Sequence, residues 1–270
     1  DIENIRLIAI AGPSSSGKTT FCNRLRIELL SRGIKPIMIS MDDYYLDRDK
    51  IAPGPDGLLD LEDINTLDID LFNQHMYSLI NGEEVEIPRF DFNIAKRVKG
   101  HKLRVPANQP IIIEGIHALN EQMSSLIPKH QKFKIFISPQ IQINIDNHSP
   151  MSTTDLRLIR RIVRDNQFRN APAKQTLSMW SSVRRGEFKW IYPHQEGSEY
   201  VFNSELTCEL CVLKKYAVPL LKAIGPEDEY FIMANRLLKY LKYFTPVEEN
   251  AIPCNSLLRE FIGGSCFYDV

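Results

Sequence analysis

The chain has 270 residues, 43% of them apolar, which is enough to bury a core and excludes disorder as the main state. Its 33 Lys and Arg nearly cancel its 34 Asp and Glu, so no global field draws it to nucleic acid or to an anionic membrane. Any anion it binds must be met by a local cluster. No apolar run approaches the ~18 residues of a membrane span, and Asp1-Ile2-Glu3-Asn4 has no signal-peptide pattern, so a soluble cytoplasmic protein is the expectation. A start without Met leaves room for a domain upstream of Asp1, and the oligomeric state is left open.

The first predicted element is a strand, Ile5 to Ala11, which ends in a Gly/Ser-rich turn. Phe21, Leu25, Leu29 and Leu30 follow at helical spacing. The turn, Gly12-Pro13-Ser14-Ser15-Ser16-Gly17-Lys18-Thr19, matches GxxxxGK[ST] without a mismatch, in the strand and helix context that motif requires. Its glycines let the backbone wrap closely around phosphates. Successive N–H groups and the helix N-terminus face the anion, Lys18 reaches the outer phosphates, and Thr19 can ligate Mg²⁺.

A second strand, Pro36 to Met41, leads into Asp42 and Asp43, and a third, Pro110 to Ile113, leads into Glu114. Phosphoryl transfer to a hydroxyl needs one carboxylate near that hydroxyl and another holding the metal, and these two strand ends supply both. Between them, residues 83–105 alternate polar and apolar around Gly100 and read as a β-hairpin carrying Phe90 and Phe92. Phe133 to Ile137 is a fourth strand. Short apolar strands with helical patterns between them predict a buried parallel sheet that binds ligands at its carboxyl edge.

Past residue 150 the chain turns helical, with segments predicted at Asp155 to Arg169, Glu205 to Ala223, Glu227 to Tyr243 and Ser256 to Ile262. In the first of these, Arg157, Arg160, Arg161 and Arg164 share one face opposite Leu156, Ile159, Ile162 and Val163, and Arg169 follows. Such a cluster can neutralise charge on a transferring phosphoryl group. The five cysteines are irregularly spaced, and no second pair completes a zinc site around Cys208 and Cys211.

Six segments in order resemble the phosphoribulokinase/uridine kinase family of P-loop kinases, and within it the uridine-cytidine kinases. They are GPSSSGKTT at 12–20, SMDDYY at 40–45, PRFDFNIAKR at 88–97, IIIEGIHAL at 111–119, RLIRRIVRDNQFR at 157–169, and the stretch from Phe188 to Asn203. The resemblance implies an α/β P-loop NTPase fold: a parallel sheet flanked by helices, with an inserted hairpin (83–105) covering the acceptor and an arginine lid (155–170). The kinase domain is expected over 1–225, with a C-terminal helical extension over 226–270 packed on the same core. That tail resembles a branch in which the kinase follows a threonyl-tRNA-synthetase-like region.

The implied activity is ATP-dependent, Mg²⁺-requiring phosphorylation of a nucleoside 5′-hydroxyl. ATP would be held by Gly12, Ser14, Ser15, Ser16, Gly17, Lys18, Thr19, Thr20, Arg160, Arg161 and Arg164. Catalysis would fall to Asp42 as base with Lys18, Arg164 and Arg169. Asp42, Tyr45, Asp60, Phe90, Arg97, Arg161 and Arg169 would bind the nucleoside, Asp60 taking the ribose hydroxyls, and Thr19, Asp42 and Glu114 would serve the metal. The departures fall at base recognition: Phe90, Ala95, Ala171 and Met179 stand where uridine-cytidine kinases carry Tyr, His, Arg and Gln. Arg97, Asn93 or His117 could rebuild those contacts. A kinase of another small alcohol, such as a sugar phosphate or vitamin precursor, and a nucleotide-binding regulatory module stay open as alternatives.

Overall fold

The computed structural model describes residues 4–51, 60–91, 94–106, 108–140 and 144–267. Phe92 and Asn93, expected in the hairpin, and Asp1 lie outside the described residues. The chain divides into two compact units. The first comprises Asp1–Pro13, Arg24–Phe136 and Arg184–Val201, and the second Ser14–Asn23, Ile137–Val183 and Phe202–Val270.

Among the described residues, five strands form the main sheet. Strands β1 (Leu7–Ala11), β2 (Ile37–Ser40), β5 (Ile111–Glu114), β6 (Lys132–Ser138) and β7 (Tyr200–Asn203) lie in the order β2-β5-β1-β6-β7. Of these, β1, β2 and β5 lie wholly in the first unit. β1 pairs in parallel with both β5 and β6, and β2 pairs in parallel with β5. Every residue of β1 is buried, as a continuous Leu-Ile-Ala-Ile-Ala run requires of a central parallel strand covered on both faces. The register sets Ile10 and Ser40 both opposite Glu114, so the carboxyl ends of β1, β2 and β5 form one edge. The chain leaves β1 toward β2 and β5 on one side and β6 on the other, which makes that edge the topological switch point where ligands of such sheets gather.

Helix α2 (Ile69–Ile80) was not predicted. Asp68 caps it by accepting the Leu71 N–H at 3.1 Å, and Phe72, Met76 and Leu79 bury one stripe against Leu7, Ile39 and Ile111 of the sheet. The expected hairpin forms as β3 (Glu84–Asp91) and β4 (Lys96–Arg104), antiparallel, with a register shift between Ile87 and Arg89 around Pro88. Gly100 faces that irregularity. A Cβ built there would fall 1.6 Å from the Ile87 carbonyl oxygen, so only glycine admits the close approach.

In the second unit, α3 (Thr153–Arg169), α4 (Ala173–Gly186), α5 (Glu209–Lys222), α6 (Phe231–Leu241) and α7 (Arg259–Ile262) follow in chain order. Leu156, Ile159, Leu177, Leu213, Leu237 and Phe261 join in one buried apolar cluster drawn from all five. α4 was missed by the sequence reading, although Leu177, Trp180 and Val183 have the 3.6-residue stripe of a core helix. Three helices start later than expected because polar residues near their predicted starts hold turns ahead of them. Glu209 accepts the Leu206 N–H at 3.1 Å, Asp228 accepts the Tyr230 N–H at 3.0 Å, and Ser256 accepts the Leu258 N–H at 3.3 Å. No helix among the described residues is long and apolar enough to cross a membrane.

Candidate active site

The phosphate loop opens at the carboxyl end of β1 with Gly12 and Pro13, both buried. Its continuation through Ser14–Thr20 is part of the second unit. Two residues there have left-handed backbone, Ser15 at φ 59° and Gly17 at φ 89°, which turns successive N–H groups inward as an anion-binding loop requires. The first helical bond of α1 (Lys18–Ser31) is Phe21 N–H to Gly17 O at 3.1 Å, so the N–H groups of Lys18, Thr19 and Thr20 are left over from the helical ladder. The hydroxyls of Ser15, Ser16 and Thr20 are buried and have no hydrogen-bond partner within the described protein. Buried donors without partners cost stability, and a polyphosphate is the anion this arrangement fits. Lys18 and Thr19, half-buried at the start of the helix, are placed on that same first turn.

Three arginines of α3 hold the loop. Arg157 Nε donates to Ser14 O at 3.0 Å, Arg160 Nη1 to Ser15 O at 3.3 Å, and Arg161 Nη1 to Ser14 Oγ at 2.8 Å. All three are buried, so this face of α3 is part of the interior instead of a solvated surface. Arg160 is compensated by Glu209, which accepts its Nε at 2.6 Å and its Nη2 at 2.9 Å, a bidentate pair that sequence reasoning did not find. Asp165 gathers the others: Arg164 Nη2 at 2.7 Å, Arg161 Nε at 3.3 Å and Arg169 Nη1 at 3.6 Å. Burial opposes the charge on Asp165, but Arg164, Arg161 and Arg169 outweigh it and hold its carboxyl below the usual range. Arg164 and Arg169, expected at the reacting phosphoryl group, are thus brought together around this carboxylate.

In the first unit the acidic edge follows the register already described. Ser40 Oγ accepts the Asp42 N–H at 3.3 Å and starts a short 3₁₀ turn over Met41–Tyr44 that presents Asp42 and Asp43 directly after β2. Asp42 and Glu114 are both half-buried. Asp43 accepts the Phe90 N–H at 3.1 Å, and burial raises its pKa despite that bond. The hairpin is therefore fastened to the residue beside Asp42. The Tyr45 and Phe90 rings meet edge-on at 5.7 Å, and Arg97 is fixed by Asp68 (3.0 Å) and the carbonyls of Tyr44 (3.0 Å) and Tyr45 (3.2 Å). Arg97 thus braces this wall. Asp60 accepts the Glu62 N–H at 3.2 Å in a turn leading to Asp63. Ala95 is at φ 53° in the hairpin turn of this unit, whereas Ala171 and Met179 belong to the other unit.

His117 and Trp190 are further interior groups of the first unit, their rings edge-on at 6.3 Å. Burial lowers the His117 pKa to about 4, so the ring is neutral at pH 7. The unfolded chain binds this proton near pH 6.5 and the folded one only near pH 4, so the histidine's contribution is complete above about pH 6.5 and is lost as pH falls through that window. Denaturant unfolding from pH 7 to 4 should show stability falling by up to about 1.4 kcal/mol per pH unit from this group. In His117→Gln that part of the slope should vanish; an identical slope would remove the histidine as its source.

A parallel sheet with carboxylates on adjacent strand ends in the one unit, and a phosphate loop bound by arginines in the other, are each features of a P-loop phosphotransferase. Residues 7–209 match the phosphoribulokinase / uridine kinase family, and the chain belongs to it. It is similar to the uridine kinase of Halalkalibacterium halodurans, with 24% identity over 81% of this chain and 97% of that one. The uridine kinase of Brevibacillus brevis is 27% identical over 66% of this chain and 75% of its own length. Arabidopsis thaliana inorganic pyrophosphatase TTM2 is 35% identical over 46% of this chain, and the match spans only 17% of TTM2. Among solved structures, a putative fructose transport system kinase from Silicibacter sp. TM1040 shares the fold at a TM-score of 0.53 and 20% identity, over 74% of this chain and 90% of its own.

Proposed function

We propose that this P-loop kinase transfers the γ-phosphoryl group of ATP to the 5′-hydroxyl of a nucleoside, with Asp42 as general base. The observation that carries this reading is the hydrogen bond from Phe90 N–H to Asp43 Oδ1 at 3.1 Å. It fastens the acceptor-covering hairpin to the residue next to Asp42, so the hairpin and the proposed base share the short turn that follows β2. Lys18 carries positive charge to the transferring group, and Arg161, Arg164 and Arg169 add to it. Thr19 would offer its hydroxyl and Glu114 its carboxylate to Mg²⁺, hard oxygen donors that suit this ion. Family kinases use that metal with ATP, and it would neutralise charge on the phosphates. Asp60 is assigned to the ribose hydroxyls, and the Tyr45 and Phe90 rings offer the base apolar faces.

A phenyl ring has no hydrogen-bonding group, so Phe90 discriminates among bases by shape and stacking alone. Shape differences of one methyl are worth only ~1–3 kcal/mol. The test is kcat/KM across the four ribonucleosides, their deoxy counterparts and thymidine, with fructose and glycerate as non-nucleoside alcohols. Nucleosides should be phosphorylated, with uridine and cytidine favoured by less than ~1,000-fold over the best other base. Turnover of fructose or glycerate alone would replace the nucleoside reading with that of a kinase for another small alcohol.

A further inference from the structure

The N–H of Thr20 has no carbonyl within α1 to receive it, because it belongs to the first turn. It donates instead to Glu260 Oε2 at 3.1 Å, from a residue 240 positions away in α7. Two neighbours of Glu260 reach the same loop. Leu257 packs over Gly17 so closely that a Cβ built on that glycine would fall 2.5 Å from Leu257 Cδ1. Phe261 is fully buried with the Arg160 guanidinium 5.0 Å from its ring centroid, and Arg160 in turn donates to Ser15 O.

The ends of this segment are tied down independently. Cys266 N–H donates to Cys254 O at 3.0 Å, and Arg259 Nη2 donates to the carbonyls of Glu249 (2.7 Å) and Ile252 (2.6 Å). One short turn thus brings an aliphatic side chain, a carboxylate and an aromatic ring onto the phosphate loop, and all of these contacts lie within the second unit.

We propose that residues 254–266 are an internal gate on the nucleotide site, in which the Glu260 carboxylate stands at the N-terminus of α1 as a substitute anion that nucleotide phosphate must displace. The partial positive charge of a helix N-terminus stabilises either anion, and the single Thr20 N–H cannot serve both. Two negative groups brought to the same donor repel each other, so the competition falls on the phosphates of the nucleotide and leaves its base and sugar untouched. The Thr20 hydroxyl, buried without a protein partner beside that N–H, is the group an incoming phosphate would also engage. This inference concerns the ATP side of the site and is independent of which alcohol is phosphorylated.

Calorimetric titration of the full chain with MgATP, inorganic triphosphate and adenosine tests it. Glu260→Gln and Glu260→Ala should bind MgATP and triphosphate on the order of 10-fold more tightly than the wild type, the scale of one removed like charge at a partly screened site, with adenosine affinity unchanged. In the wild type, saturating MgATP should speed hydrogen exchange at residues 254–266. Equal or weaker triphosphate binding by a folded Glu260→Gln chain would overturn the gate and leave Glu260 as a helix cap. If neither variant folds, the wild-type exchange decides: greater protection of 254–266 with MgATP refutes displacement.

Discussion

Turnover of Lys18→Ala should fall by at least ~100-fold, equivalent to about 2.7 kcal/mol of lost transition-state stabilisation. Lys18 is the first residue of α1, directly after Gly17, in the loop and first helical turn that also carry the buried hydroxyls of Ser15, Ser16 and Thr20. Those hydroxyls and the backbone N–H groups remain in the variant, so ground-state affinity for MgATP should change much less than kcat. The split arises because the ammonium group gains most where charge builds on the transferring oxygens, while the loop donors bind substrate and transition state alike. Steady-state kinetics paired with a direct binding measurement resolves the two. Near-wild-type turnover would sink the phosphate-loop assignment.

Asp42→Asn should abolish acceptor phosphorylation while leaving MgATP affinity close to that of the wild type, since a group that acts on the acceptor hydroxyl contributes little to donor binding. Asparagine keeps the size and the 3₁₀ turn capped by Ser40 but cannot take a proton. Asp43→Asn is the informative comparison. Its carboxylate holds the Phe90 N–H, a bond the asparagine oxygen can still accept, so the expected effect is a modest rise in acceptor KM with transfer retained. If Asp43→Asn is the dead enzyme and Asp42→Asn the live one, the assignment of the base is off by one residue.

Much of the fold is legible before any coordinates because its signals are local. The run Leu7-Ile8-Ala9-Ile10-Ala11, the turn Gly12 to Thr19 and the apolar spacing after it describe strand, loop and helix within some twenty residues, and β1 and α1 occupy those places. The hairpin was legible for the same reason: alternation around Gly100 is a property of neighbours in sequence. β7 was not. Tyr200 to Asn203 is a short strand with little burial, and its place at the end of the sheet depends on β6 being there to pair with. α2 and α4 carry apolar stripes at Phe72, Met76 and Leu79 and at Leu177, Trp180 and Val183, but these are short and lie between stronger motifs.

By itself the sequence determined the fold class, the phosphate loop and the kind of chemistry, since each rests on residue types at fixed short spacings. Only the tertiary structure decided what the arginines of α3 do. Heptad spacing shows that Arg157, Arg160, Arg161 and Arg164 share a face, but not that Arg157, Arg160 and Arg161 are buried against Ser14, Ser15 and Glu209. It also decided the partner of Thr20. No local pattern in Leu257 to Phe261 points to a phosphate loop, because a carboxylate and a backbone N–H separated by 240 residues meet only when the helices between them have packed. Short-range spacing is set by backbone geometry and can be read along the chain, whereas pairing of buried charges is set by which surfaces the hydrophobic core forces together.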